Sequence, residues 1–243
     1  MNVWAFSDIH GQRELFDAIM AKIEPNDKIY FLGDAIDRGP DGWTIFKQLM
    51  DDPRVTFICG NHEDMMYNAL RRWPDFERCS WTEEMSVWDW NGNNPTIEAI
   101  LADEPDVVKS YLDKIPNLPV FETYINSDGD IFWLSHAGLN FTNDIRLWPN
   151  RQDFIWDRRH FISQTDWKSC PDNLYIIHGH TPVIYLVDEL NNYFDNIDTK
   201  IEPGAYYYCE GHKIDIDCGA HFTNQTVLFN LDTFDEEIFD ITK

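Results

Sequence analysis

Basic residues are scarce in this sequence. Nineteen Lys and Arg stand against 43 Asp and Glu, leaving a formal net charge of −24. A field of that sign repels DNA, RNA and anionic lipid, so no nucleic-acid or membrane partner is expected. A small phosphorylated substrate remains compatible, provided its site supplies local positive charge. Long apolar runs are also missing. No segment approaches the ~20 residues needed to span a bilayer, and the opening MNVWAFSDIHG has neither the basic region nor the apolar core of a secretory signal. The five cysteines (Cys59, Cys79, Cys170, Cys209, Cys218) include no CxxC pair, which predicts reduced thiols and a cytoplasmic location. There is no internal repeat and no low-complexity run. What the 243 residues do contain is 43% hydrophobic side chains and ten tryptophans, enough to bury one substantial core.

The first sixty residues alternate between two periods. Val3–Phe6 is a short apolar run that reads as a buried strand. Gln12–Glu24 carries Leu15, Phe16, Ile19 and Ile23 on one helical face, and Pro25-Asn26 ends it. Lys28–Leu32 and Val55–Ile58 are further strands. Between them, Pro40-Asp41 opens a helix striped by Trp43, Phe46, Leu49 and Met50, and His62–Arg72 continues as a helix. This spacing predicts a parallel α/β sheet. Residues 74–95, rich in Trp, Pro, Asn and Gly, read as a long loop or cap, with helices at 96–102 and 105–115. Beyond them, Val120–Ile125 and Ile131–Ser135 flank a hairpin turn at Asn126–Gly129. Two more hairpins are expected, at 206–217 around Glu210-Gly211 and at 225–241. No linker-like stretch divides the chain, so 1–243 reads as a single domain with a loop or helical cap at about 73–117.

Polar residues gather where the strands end. The first strand runs into Asp8-Ile9-His10-Gly11, the second into Gly33-Asp34-Ala35-Ile36-Asp37-Arg38-Gly39 and the third into Gly60-Asn61-His62-Glu63. Ligands of open α/β sheets bind outside the carboxyl ends of the strands, so these segments meet at one rim. Carboxylate, imidazole and amide oxygen form a mixed O/N donor set suited to Mn²⁺, Fe²⁺ or Zn²⁺. Two later segments, His136-Ala137-Gly138 and His178-Gly179-His180-Thr181, bring imidazoles for a second metal position, and Asp34 is the obvious carboxylate to bridge two ions. Each motif is weak alone; their joint order is not.

Together these segments resemble the signature of the metallophosphoesterases, and more narrowly the phosphoprotein phosphatase family with its small bacterial and phage serine/threonine phosphatases. The likeness runs from Asp8 to about Ala220 and includes Ile155-Trp156-Asp157-Arg158 and Asp215–Ala220. It implies a calcineurin-like αββα sandwich, two mixed sheets flanked by helices. By resemblance, Asp8, His10 and Asp34 hold one metal, and Asp34, Asn61, His136 and His180 the other, with Mn²⁺ the expected ion and Fe or Zn as alternatives. A bridging water, acidified to hydroxide, would attack phosphorus in line. His62 would protonate the leaving alkoxide, oriented by Asp37, while Arg38 and Arg158 grip the phosphate oxygens.

The implied activity is phosphate-monoester hydrolysis, first of all on phosphoserine and phosphothreonine. A diadenosine polyphosphate hydrolase shares the scaffold, but that branch tends to lack the acid before the arginine, and here Asp37-Arg38 is intact. A cyclic phosphodiesterase is disfavoured because His180 is followed by Thr181-Pro182 rather than by Gly-His-x-His spacing. A non-catalytic scaffold predicts a missing ligand, and none is missing. His178, two residues before His180 and so on the same strand face, reads either as a support behind the metal ligands or as a rim residue; Glu63 reads as helix N-terminal charge, and His160, His212 and His221 as structural or exposed. Arg159 reads as a substrate contact or an exposed salt bridge, and Cys218 as buried packing. Trp73, Trp81, Trp88 and Trp90 read either as packing of the cap or as a substrate-contacting rim.

Overall fold

The computed structural model describes residues 1–75, 82–140, 149–158, 160, 170–187 and 202–242. Cys79, Trp81 and Arg159 lie outside the described residues.

Alternation of side chains along each strand decides where every layer packs. In β1 (Val3–Phe6), Val3 and Ala5 face one way, and Trp4 and Phe6 the other. The same split separates Ile29 and Phe31 from Tyr30 and Leu32 along β2 (Lys28–Phe31) and its end. β3 (Val55–Phe57) completes the parallel trio, with β1 and β3 on either side of β2. The last hairpin, β9 (Gln225–Asn230) and β10 (Glu236–Asp240), adds two antiparallel strands, so the first sheet runs β10-β9-β1-β2-β3. The second sheet runs β4-β5-β6-β8-β7. It combines the β4/β5 hairpin (Phe121–Ile125, Ile131–Ser135), the parallel strand β6 (Leu174–His178) and the β7/β8 hairpin (Tyr206–Tyr208, Lys213–Asp215). Both sheets are mixed, as expected of the sandwich.

Between the sheets, Val3, Ala5 and Phe229 from the first meet Phe132, Ile177 and Ile214 from the second in one buried cluster. The outer face of the first sheet is covered by helices α1 (Arg13–Lys22), α2 (Gly42–Asp51) and α3 (Asn61–Leu70). The second sheet's outer face packs Leu174 and Ile176 against Phe154 and Ile155 of α7 (Arg151–Trp156). Hairpin chemistry is as the sequence predicts: Asn126 Oδ1 accepts from the amides of Asp128 (3.0 Å) and Asp130 (2.9 Å), and Gly129 turns the chain at φ 89°.

Of the two readings of residues 74–95, a loop or a cap, the described part from Thr82 takes the form of a helical cap. It contains helix α4 (Glu83–Trp90), opened by Thr82, whose hydroxyl accepts from the Met85 amide at 3.1 Å. Only Trp88 of its eight residues is buried, so no apolar stripe marks it in the sequence. α4 packs on α3, followed by α5 (Asn94–Leu101), which packs on α2, by α6 (Pro105–Leu112) and by a short 3₁₀ turn (Ile115–Asn117). Among the described residues no helix is long and apolar enough to cross a membrane.

The inter-sheet cluster holds the two halves together. Replacing the fully buried Phe229 by alanine is expected to cost about 3–5 kcal/mol and to lower the melting temperature by roughly 10 °C. Ile238→Ala, at a half-exposed edge position, should shift it little. Circular-dichroism melting of the two variants checks this.

Candidate metal centre and its cleft

All ten candidate residues converge. Asp8 and His10 leave β1, Asp34, Asp37 and Arg38 leave β2, and Asn61 and His62 open α3. His136 follows β5, His180 follows β6 and Arg158 follows α7. The turns are sharp because the backbone enters the left-handed region at Asp8, His10, Asp34, Asp37, Arg38 and His180, with φ between 43° and 71°. Side chains with a Cβ pay for this conformation, and such strain clusters at functional sites.

Asp34 sits at the middle. Its Oδ2 lies 3.7 Å from His10 Nε2, 3.8 Å from His62 Nε2 and 3.4 Å from His136 Nε2. Two triads share it, His10–Asp34–His62 and Asp34–His136–His180, each with donor atoms within 4.8 Å of one another. Asn61 Oδ1 is 2.9 Å from both His136 Nε2 and His180 Nδ1. Asp8 Oδ2 accepts from the His180 amide at 3.1 Å. The ring partners fix tautomers: His10 Nδ1 donates to Ile36 O (2.8 Å) and His136 Nδ1 to Leu32 O (2.6 Å). Both Nε2 atoms therefore point inward.

Electrostatics show the tension of this packing. Burial, reinforced by Asp34 and opposed by His136, pushes Asp8 up to about 6. For Asp34 burial also acts upward, but the imidazoles of His136 and His62 outweigh it and hold the carboxyl well below its usual range. Burial acts to lower His136, yet Asp34 raises it to about 10. Burial, helped by cationic neighbours, keeps His10 and His180 well below the imidazole range, neutral as metal ligation requires. Acceptor oxygens and inward ring nitrogens crowd one another here. His180 Nε2 is buried with no hydrogen-bond partner among the described residues. This donor set fits divalent cations, which would satisfy the convergent lone pairs.

A second layer holds His62. Its Nδ1 lies 2.6 Å from Asp37 Oδ2, and the same oxygen accepts from Trp88 Nε1 at 2.7 Å. Asp37 Oδ1 accepts from the Thr96 hydroxyl at 2.6 Å. Burial works against its charge, but Asp34 and Asp37 prevail and raise the His62 pKa. Arg38 stands at the mouth, its guanidinium 2.7 Å from His10 Nε2 and 3.1 Å from His62 Nε2. Arg158 is anchored by Thr181 Oγ1 (3.0 Å). Both arginines face a cleft of about 640 Å³ that also reaches His180 and His221. A larger cleft, about 920 Å³, lies by Arg13, Lys47, Asp51 and Arg54 on the α1–α2 face, far from any such constellation.

Three residues depart from expectation. Glu63 is fully buried, and its carboxylate accepts from the amides of Asp34 (2.9 Å), Ala35 (2.9 Å) and Gly60 (3.1 Å). It therefore ties the second and third loops together, beyond any dipole effect, and burial with Asp34 nearby raises it to about 7. His178 is not at the rim. β6 ends at His178 and the chain turns left-handed at His180, so the two imidazoles no longer share a face. His178 is buried, accepting from the Tyr208 hydroxyl at 2.7 Å. His221 is half-buried beside the centre, its ring 5.5 Å from that of His10 and its Nδ1 3.4 Å from Arg38; no sequence pattern marks it. His160 is structural as expected: Nε2 donates to Ala137 O (2.6 Å) and Nδ1 accepts from buried Lys213 (2.9 Å). Cys218 is half-buried against the inter-sheet core, and burial pushes its thiol up to about 12.

The profile of the calcineurin-like phosphoesterases matches residues 1–223. The chain belongs to that family. This phosphoesterase is accordingly a metal-dependent phosphatase with the αββα fold, of a family that works with two metal ions. It is 25% identical over 208 residues to serine/threonine-protein phosphatase 1 of Salmonella typhimurium, covering 82% of this chain and 86% of that one. It is 35% identical over 161 residues to serine/threonine-protein phosphatase 2 of Escherichia coli, covering 61% and 67%. A shorter stretch of 67 residues is 37% identical to a symmetrical bis(5'-nucleosyl)-tetraphosphatase of Buchnera aphidicola, covering 26% and 24%. A serine/threonine phosphatase structure from Saccharomyces cerevisiae superposes with a TM-score of 0.58, covering 100% of this chain and 81% of that one; at 13% identity this likeness concerns the fold.

The Glu63 clamp yields a prediction. Glu63→Gln keeps the size but turns an amide NH₂ towards backbone N–H groups. Loss of charge-assisted bonds should cost about 3 kcal/mol and weaken metal uptake, because Asp34 loses its anchor. Thermal melting with and without added Mn²⁺ measures both effects.

Proposed function

We propose that this phosphoesterase is a serine/threonine protein phosphatase, hydrolysing phosphate monoesters with two divalent cations, Mn²⁺ foremost, in the cytoplasm. The observation that carries the reading is the Asp37–His62 pair, at 2.6 Å, buried beside Asp34 and capped by Arg38. A monoester with an alkoxide leaving group needs a proton delivered where the bond breaks, and this pair supplies one.

The residues divide the work. Asp8, His10 and Asp34 would hold one ion, and Asp34, Asn61, His136 and His180 the other. Such ions would neutralise phosphoryl charge and acidify water. Asp37 takes the Nδ1 proton of His62 in a hydrogen bond and so directs Nε2 towards the cleft. Trp88 and Thr96 keep Asp37 from turning away. Protonated at Nε2, His62 passes that proton to the departing serine or threonine oxygen. Arg38 and Arg158 offer forked donors to the non-bridging phosphate oxygens. To do so, Arg38 must give up its contacts with His10 and His62. Two arginines, and two cations when bound, would make the pocket positive inside a protein of net charge −24.

Diadenosine polyphosphate hydrolysis is the second reading, favoured by the short stretch shared with the tetraphosphatase. The intact Asp37-Arg38 pair argues for monoesters. The test is hydrolysis after dialysis against chelator and addition of Mn²⁺, comparing a phosphothreonine peptide, p-nitrophenyl phosphate and diadenosine tetraphosphate. Peptide turnover should require the metal and fall about 10²–10⁴-fold in kcat in His62→Asn. The aryl ester should suffer less, since nitrophenolate leaves without protonation. Preference for the dinucleotide, or a His62→Asn enzyme as fast as wild type on the peptide, would overturn the proposal.

A further inference from the structure

The cleft above the arginines has an unusual lining. In a chain with 43 Asp and Glu, no acidic side chain lines it among the described residues; its walls are instead Trp90 on one side and Tyr185, His221 and Phe222 on the other. These rings are exposed, Trp90 by 90%, Tyr185 by 55% and Phe222 by 41%. The backbone that carries Trp90 is also held in place. Trp90 follows Trp88 by two residues on α4, a rotation of about 200°, so the helix that buries Trp88 against Asp37 turns Trp90 outward. Two residues on, Gly92 O accepts from the Arg38 amide at 2.9 Å, fixing the end of α4 to the loop that carries Arg38.

The opposite wall is preorganised too. Tyr185 and Phe222 lie 5.8 Å apart, Phe222 meets His221 edge-on at 4.7 Å, and His221 meets His10 edge-on at 5.5 Å. A file of rings therefore leads from the metal centre to the rim. Gly219, at φ 70°, leaves room for the Phe222 ring, which a Cβ there would meet at 2.4 Å. A phosphate gripped by Arg38 and Arg158 would leave its ester substituent between these walls.

We propose that Trp90, Tyr185 and Phe222 form a specificity subsite for an aromatic side chain adjacent to the phosphorylated residue of a peptide. The inference rests on the protein-phosphatase reading and adds a sequence preference to it. Aromatic rings contribute through contact area and edge-to-face geometry.

The test uses phosphoserine peptides of one frame in which the residue just before or just after phosphoserine is Phe, Ala or Glu. The Mn²⁺-loaded full chain should prefer Phe to Ala or Glu by about 10-fold in kcat/KM at one of these positions. The Phe/Ala ratio should collapse to within about twofold in Trp90→Ala and in Phe222→Ala. It should persist in Leu101→Ala, a change at an exposed position outside the cleft. Calorimetric titration of the Mn²⁺-loaded His62→Asn variant with the same peptides reads binding without turnover. If p-nitrophenyl phosphate is cleaved and no peptide is, the protein-phosphatase reading fails, and the titration alone judges the subsite. No Phe preference in wild type, a preference that survives both ring deletions, or a base-bearing dinucleotide that outcompetes every peptide overturns the subsite proposal.

Discussion

A buried carboxylate ringed by three imidazoles is the constraint around which this molecule is arranged. Asp34 is almost wholly enclosed and lies within 4 Å of His10, His62 and His136. Such a group stays put only if its backbone is held independently of its charge, because the side chain's own partners exchange when cations arrive. Glu63 supplies that independent hold by binding the amides of Asp34, Ala35 and Gly60. The loops after β2 and β3 are thereby a single unit. The close approach of Gly33 and Gly60, where a Cβ on either would strike backbone at 2.5–2.6 Å, belongs to the same device.

The left-handed turns follow from this geometry. A strand end delivers side chains alternately to two faces, whereas the centre needs Asp34 and Asp37, three residues apart, gathered at one rim. Six of the ten candidate side chains have positive φ, each at a cost of order 1 kcal/mol or more. The stability comes from elsewhere: the inter-sheet cluster and the helix-covered face of the first sheet hold the strands rigid, and the strands hold the loops.

Much of this was legible in the sequence. The short apolar runs marked strands at nearly their observed bounds, the strand-end clusters marked residues that do come together, and Arg158, marked by the family resemblance alone, joins them. What stayed hidden depended on tertiary contact. Helix α4 buries one residue in eight, so no period announces it. Glu63 looks like an ordinary first-turn acid until the amides of another loop are seen to reach it. For His178 the rim alternative and the shared face with His180 fail, because strand alternation does not extend past the residue where the strand stops. His221 has no local pattern, and only the return of the chain after β8 brings it to His10. The tryptophans divide residue by residue: Trp88 is packing, Trp90 is surface.

That division links the cap to the chemistry. Trp88 and Trp90 ride on one helix, one holding the carboxylate that orients His62 and the other standing over the cleft. If His62 delivers the proton and Trp90 meets the substrate, as proposed, a displacement of α4 would disturb both together. The charge distribution has a similar logic. Beyond a Debye length of about 8 Å at physiological ionic strength, the acidic surface is screened, so it hinders polyanions at close range without barring a single phosphate from the arginines. On the proposed reading, acidity outside and arginines and rings within the cleft would together favour a compact phosphate with an uncharged neighbour.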